Sequence, residues 1–168
     1  YLTGIGHREI GFFTGKEYIG ENHLYPDYRK KVFIDYCDAH DLIYEPYIQE
    51  GVFRISSGYE MACNLINGGK LPTAIFAASD PIAFGAIKAF TEHGIRVPED
   101  ISIVGFDDIN MAQFSAPPLT TVSAPAYHMG MYGASILQHL LREHPGPALK
   151  IKLPCKLVVR NSCKAIEK

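Results

Sequence analysis

The chain alternates between short apolar runs and segments in which apolar residues recur every three or four positions. The runs are rich in β-branched and aromatic residues, and polar residues or glycines close them, which is typical of buried strands. Such runs predict four strands, at residues 8–14, 42–48, 73–78 and 101–106.

Segments with helical periodicity separate these four strands. The first helix is predicted at residues 26–39, with a proline at its first position, where the missing N–H costs nothing. Ser57 and Glu60 have the spacing of a capping box and begin a second helix, which the glycines after residue 67 end. Ser79 is the expected N-cap of a third helix, which ends at Gly94. The order βαβαβαβ predicts an α/β fold with a parallel sheet flanked by helices on both faces.

The remainder of the chain departs from this alternation. Residues 109–118 are predicted to form a loop, 119–122 a short extended piece, 129–143 a helix and 151–159 a final strand. The helix carries an apolar stripe that would be unfavourable in water, so we expect it to pack on this chain or on a neighbour. The stripe consists of Ile136, Leu137, Leu140 and Leu141.

Composition indicates a single compact domain of 168 residues, 47% hydrophobic and 20% charged. No apolar run is long enough to cross a bilayer, and no targeting signal is visible, so we expect a soluble protein with no membrane partner. The first residue is not Met, which suggests a piece of a longer protein. The four cysteines form no C-x-x-C pair, and reduced thiols favour a cytoplasmic location.

The net charge of the chain indicates whether it could bind DNA. The net charge is -2 and no basic run forms an arm or stripe, whereas DNA binding usually needs such a footprint. This part of the protein is therefore not expected to contact DNA itself.

A ligand site is expected where the parallel strands end, because open α/β sheets bind ligands outside their carboxyl edge. This predicted edge is polar, acidic and partly aromatic, which suits a small polyol. Each side chain also has a structural alternative: Asp80 as a helix cap, Asp107 and Asp108 as turn formers, Arg29 as a solvated or ion-paired side chain, and aromatic residues as core. The edge and its sequence neighbours include Lys16, Tyr18, Tyr25, Tyr28, Phe53, Ser79, Asp80, Asp107 and Asp108, together with residues 14–15 and 50–52.

Catalytic and metal-binding patterns are absent from the sequence. The seven histidines show no metal-ligand spacing, and there is no nucleophile elbow, Walker A loop or complete dinucleotide fingerprint. We therefore expect no catalytic residue, no metal, no cofactor and no enzymatic activity.

Several strings in their order along the chain resemble the effector-binding core of LacI/GalR transcription regulators. Any one string is weakly specific, but the series covers nearly the whole chain. The strings are GHREIGF (6–12), PTAIFAASD (72–80), GIRVPEDISIVGFDD (94–108), PPLTTV (117–122), LP (153–154) and LVVRNS (157–162).

The resemblance implies a periplasmic-binding-protein-like fold of type I, with two lobes. Residues 1–120 would form the C-terminal lobe, 121–147 a crossover and a helix of the N-terminal lobe, and 148–168 the return strand and tail. The helix-turn-helix head and most of the N-terminal lobe would lie outside this chain. The effector would be a sugar or sugar derivative, the protein a homodimer, and its DNA contacts would be made only by that head.

The resemblance also assigns ligand contacts to Arg29, Phe53, Ser79 and Asp107, with Tyr18, Tyr25 and Asp80 as secondary candidates from the edge. Two departures concern these positions. Ser79 stands where the family often has Asn, and Val32 stands where Gly is usual, which bears on the register of the Arg29 helix. In the family the helices of this lobe mediate dimerisation, so the helices starting near Ser57 and Pro81 are interface candidates.

Two other functions fit the same architecture. An exported sugar-binding protein for transport would carry a signal peptide instead of a helix-turn-helix. An α/β enzyme would need a nucleophile or an acid–base pair in the edge cleft, and would turn over glycosides or phosphosugars.

Overall fold

A computed structural model describes residues 1–19, 23–25, 28–142 and 149–166, with the backbone alone for 17–19 and 23–25. Eight strands occur in these parts of the chain. They are β1 (Ile10–Gly15), β2 (Glu17–Ile19), β3 (His23–Tyr25), β4 (Ile48–Gly51), β5 (Ala74–Ala77), β6 (Ser102–Asp107), β7 (Thr120–Ser123) and β8 (Lys156–Val158).

Six of the strands form one sheet in the order β4-β1-β5-β6-β7-β8, while β2 and β3 form a separate antiparallel pair. All neighbours from β4 to β7 are parallel, and β8 is antiparallel to β7. The chain passes from β1 to β4 on one side and then to β5 on the other. The expected parallel sheet is thus confirmed, and its strand order reverses beside β1.

In the described parts of the chain, four α-helices accompany the sheet: α1 (Tyr28–Ala39), α2 (Ile55–Asn67), α3 (Asp80–Glu92) and α4 (Ala126–Arg142). Short 3-10 helices lie at Glu45–Tyr47 and Asn110–Gln113. The first three helices occupy the positions that periodicity predicts, although Pro26, the expected start of α1, lies outside the described residues.

The core has two layers because the central strands are apolar on both faces. On one face Phe13, Ile75 and Ile103 are fully buried against α2 and α3. On the other, the Phe12 ring stacks on Phe33 of α1 with centroids 4.9 Å apart. Continuous apolar runs are what a parallel strand covered on both faces requires.

Two details near β4 differ from the prediction. Residues 42–48 do not form a continuous strand, because a 3-10 helix containing Pro46 occupies 45–47 and β4 begins only at Ile48. A proline lacks the N–H that an inner ladder needs.

The predicted capping box at Ser57 is also wrong. Helix α2 begins at Ile55 with Arg54 as its N-cap, and no side chain caps it. The Ser57 hydroxyl instead accepts a hydrogen bond from the backbone N–H of Val52 at 2.9 Å, which ties the helix to the loop after β4.

The last part of the chain is less regular than expected. Of the strand predicted at 151–159, only Lys156–Val158 pairs, because its partner β7 ends at Ser123, which pairs with Lys156. Helix α4 buries none of its described residues, and Leu137 and Leu141 are 58% and 79% exposed. Ile136 of the stripe is partly buried and lines a pocket with Ile151 and Leu153, but the other three stripe residues are exposed, so packing on a neighbour stays a prediction.

Within the described residues, no helix combines the length and hydropathy that a bilayer crossing requires.

Candidate ligand-binding site at the carboxyl edge of the sheet

The strand register brings the predicted site residues to one edge. Phe76 of β5 pairs with Val104 of the parallel strand β6. Ser79 and Asp107 each lie three residues further along, so the register brings them to the same height at the end of the sheet. Asp107 in turn pairs with Ser123 of β7. The site therefore forms at the carboxyl ends of parallel strands, beside the reversal of strand order.

Arg29 reaches this edge from the first turn of α1. Its Nη1 donates a hydrogen bond to the carbonyl oxygen of Ala78 at 2.7 Å, at the end of β5. Its guanidinium carbon lies 5.3 Å from the centroid of the Phe53 ring and 5.0 Å from that of Phe106. Val32, at the position where the resemblance makes Gly usual, is 65% exposed within the continuous α1, so it leaves the helix intact. Arg29 is thus held as a flat cation between two aromatic faces.

Phe53 is half-buried on the loop between β4 and α2 and packs against Gly15 at the end of β1. A Cβ on Gly15 would lie 2.7 Å from the Phe53 ring, so only glycine permits this close approach.

Asp107 ends β6 with an exposed side chain and a positive φ of 111°, and Asp108 follows with φ 54°. Neighbouring protein displaces water from the Asp107 carboxyl and raises its pKa; the nearby Asp80 carboxylate raises it further, and Arg29 opposes both. Two consecutive non-glycine residues in this region are uncommon and often mark functional sites.

Ser79 and Asp80 follow β5 but are turned inward. Ser79 is 4% exposed and its hydroxyl caps α3 by accepting from the N–H of Ile82 at 3.4 Å, as predicted. Asp80 is fully buried; it accepts from the Thr121 hydroxyl at 2.5 Å and from the Ile109 N–H at 2.8 Å. Burial raises the pKa of Asp80, while these two bonds lower it. The structure therefore does not bring the Asp80 carboxylate into the open cleft.

A second charged cluster lies at the end of β4. Glu50 forms ion pairs with Lys16, at 2.5 Å, and with Lys30 of α1. Their hydrogen bonds hold the pKa of Glu50 below its ordinary range. The carboxylate thus stays charged and joins α1 to the edge of the sheet.

The remaining candidates are Tyr18 and Tyr25. Their backbones belong to β2 and β3, but their side chains lie outside the described residues. Sequence reasoning did not single out Phe106 or Arg160, whose guanidinium pairs with Asp108 at 2.7 Å. The position of Phe106 directly before the acidic pair was the available signal. Arg160 lies in the matched string LVVRNS, but its partner is 52 residues away, so the string did not indicate the pairing.

Among the described residues, no group of three or more His, Cys, Asp or Glu side chains could hold a metal ion.

A mostly parallel sheet with helices on both faces and polar side chains at its carboxyl edge is the arrangement in which open α/β domains bind ligands. A family model described as the periplasmic binding protein-like domain matches residues 1–163, and the chain belongs to this family. Its relatives place it with the LacI-type regulators. The PurR repressor of Haemophilus influenzae is 36% identical over 170 residues, 99% of this chain and 49% of that protein. The CytR repressor of Escherichia coli K12 is 33% identical over 168 residues, 99% of this chain and 48% of that protein.

Solved structures agree with this placement. A LacI-type regulator from Bacillus cereus subsp. cytotoxis superposes with a TM-score of 0.89 at 29% identity, over 99% of this chain and 58% of that one. The Lac repressor bound to ONPG superposes with a TM-score of 0.79 at 30% identity, over 96% of this chain and 47% of that one. The family resemblance and fold class are confirmed, and the relatives are named as transcriptional repressors, not enzymes, as expected. The chain spans about half the length of the curated relatives it matches.

Proposed function

We propose that this chain is the effector-binding core of a LacI/GalR-type transcription regulator and that its effector is a sugar or sugar derivative. The observation that carries the proposal is the Asp107 carboxylate at the exposed edge of β6, near enough to the Arg29 cation for Arg29 to lower its pKa. Arg29 itself lies over the Phe53 and Phe106 rings. A carboxylate accepts from sugar hydroxyls, a guanidinium donates to them, and an aromatic ring packs on the apolar face of the sugar.

The four primary residues take different roles in this proposal. Asp107 and Arg29 bond hydroxyls, and Phe53 supplies the apolar face. Ser79, whose hydroxyl already caps α3, contributes by shaping the edge beside Asp107. Tyr18 and Tyr25 remain secondary candidates.

The proposed mechanism is a binding switch. Residues 1–120 with 148–168 would be the C-terminal lobe, and 121–147 a crossover and a helix of the N-terminal lobe. An effector that touches both lobes favours one arrangement of them and so changes the DNA affinity of a head outside this chain. Because such a regulator acts on DNA, we propose a cytoplasmic location.

We further propose that the regulator is a homodimer formed through α2 and α3, the helices that start near Ser57 and Pro81, together with the segment after β6. Ile55, the first residue of α2, is 48% exposed. Met111 and Phe114, in the segment after β6, are 58% and 75% exposed. This segment is tied to α3 because Asp80 accepts a hydrogen bond from the Ile109 N–H. Exposed apolar residues of this size indicate an interaction surface. A solved relative is described as a dimeric Lac repressor, which supports a second copy as the occupant.

Sedimentation velocity tests the dimer. We expect a dimer for the unaltered chain and a shift to monomer for Phe114→Ser, which removes the most exposed aromatic of this surface. Leu141→Ser tests the apolar stripe of α4 as the alternative interface, since Leu141 is 79% exposed there, and the dimer is expected to persist in this variant. A monomer with Leu141→Ser and a dimer with Phe114→Ser would place the interface on α4 instead.

An NMR titration tests the effector class. Labelled chain is titrated with pentoses, hexoses and nucleosides, and a sugar is expected to shift the amide signals of Phe53, Asp107 and Asp108. Affinity should be weak, because the other lobe's contacts are missing. If no sugar moves these signals while another compound class does, the sugar assignment fails; shifts confined to distant residues would mean that the site is misplaced.

A further inference from the structure

The turn that presents Asp107 is held in an unfavourable backbone conformation. Asp107 and Asp108 have φ of 111° and 54°, in the region that side chains other than glycine rarely adopt. Such residues persist only where surrounding contacts over-determine them. Something must therefore hold this turn.

One anchor comes from the distant return segment after β8. Arg160 donates from Nη2 to Asp108 Oδ1 at 2.7 Å and from Nη1 to the Leu119 carbonyl at 2.8 Å. The backbone N–H of Arg160 donates a hydrogen bond to the Thr120 hydroxyl oxygen at 2.9 Å. The Arg160 and Asp108 side chains are only 19% and 21% exposed, so water screens the pair weakly. A planar guanidinium bonded at two points fixes direction as well as distance.

The second anchor is Asp80, which accepts from the N–H of Ile109, the next residue of the turn, at 2.8 Å. Asp80 is itself fixed by the Thr121 hydroxyl and by complete burial. Both residues that follow Asp107 are therefore bound to the body of the lobe, one by Arg160 and one by Asp80.

We infer that Arg160 is a positioning residue for the ligand site: through Asp108 it holds the turn that presents Asp107 to the effector. This inference rests on the proposed function. Arg160 makes no contact with the effector itself. The return segment thus contributes to effector affinity from the far side of β7.

The test measures the Asp107 pKa by NMR of its carboxyl carbon during a pH titration, with D-ribose as the binding probe. Arg29 and Asp80, which act on the pKa of Asp107, and the neighbouring Asp108 are all kept in the Arg160→Met variant. Freeing the turn moves the carboxyl away from the protein atoms that partly desolvate it, from Asp80 and from Arg29. Because the net effect of these groups is to raise the pKa, it should fall toward its ordinary value. If Arg160 acted only through its positive charge, its loss would raise the Asp107 pKa. The direction of the pKa change therefore distinguishes a positioning role from a purely electrostatic one. D-ribose affinity should fall about tenfold.

The matched control is Arg96→Met. Arg96 pairs with Asp100 at the same 2.7 Å but is exposed and lies before β6, so its loss should leave the Asp107 pKa and binding unchanged. An Asp107 pKa that stays at or above the unaltered value in Arg160→Met, as in Arg96→Met, would reduce Arg160 to a stabilising contact.

Asp108→Gly and Asp108→Asn decide the matter if Arg160→Met does not fold. Both remove the charge, and glycine tolerates the positive φ, but only asparagine keeps an acceptor for Arg160. The Asp107 pKa should be lower in Asp108→Gly than in Asp108→Asn, and equal values would overturn the inference. Failure of the unaltered chain to bind D-ribose would contradict the proposed sugar class for this probe, and would leave the pKa comparison intact.

Discussion

Asp107→Asn is expected to weaken effector binding by about 10- to 150-fold, because a hydrogen bond to a charged group contributes about 1.5–3 kcal/mol. Asparagine keeps the size of the side chain and tolerates a positive φ, so the fold should persist. The measurement is the NMR titration with the sugar that binds the unaltered chain most tightly.

Asp35→Asn is the control, since Asp35 is an exposed residue of α1 paired with Lys31. It should bind like the unaltered chain. The raised pKa of Asp107 adds a pH signature: protonation removes the acceptor charge, so binding should weaken with falling pH already above the ordinary Asp value of about 3.9. In Asp107→Asn this part of the pH dependence should vanish. Unchanged affinity in Asp107→Asn would show that the carboxylate is not the ligand contact.

Gly85→Ala is expected to destabilise the fold by about 3 kcal/mol or more. Helices α2 and α3 touch through their backbones: a Cβ on Gly85 would overlap the Ile55 carbonyl oxygen and lie 2.6 Å from the Tyr59 nitrogen. Backbone atoms cannot rotate away as a side chain can, so the helices would have to separate. Such a loss is a large part of the 5–15 kcal/mol that ordinarily holds a domain. Urea unfolding followed by circular dichroism measures it.

Gly130→Ala is the opposite control. Nothing lies within 4 Å of a Cβ at Gly130 in α4, so alanine should stabilise that helix by about 0.5–1 kcal/mol. A urea midpoint for Gly85→Ala equal to that of the unaltered chain would mean that the two helices are not in backbone contact.

The positions of most strands and helices could be predicted because each strand buries a continuous run of apolar residues and each helix an apolar stripe of helical spacing. The edge residues followed from the same logic, since a strand's end is visible in sequence. Ser79 shows the limit of this logic: its place at the edge and its role as the N-cap of α3 were predicted, but only the structure shows that the residue is 4% exposed.

Sequence alone determined the α/β class, the edge at which Ser79 and Asp107 emerge and the family resemblance, because these depend on local periodicity and short strings. Tertiary structure decided what depends on residues far apart in the chain. It placed Arg29 over two rings, buried Asp80 and paired Arg160 with Asp108 across 52 residues. Such contacts form only when the sheet has fixed the order of its strands, which no local pattern encodes.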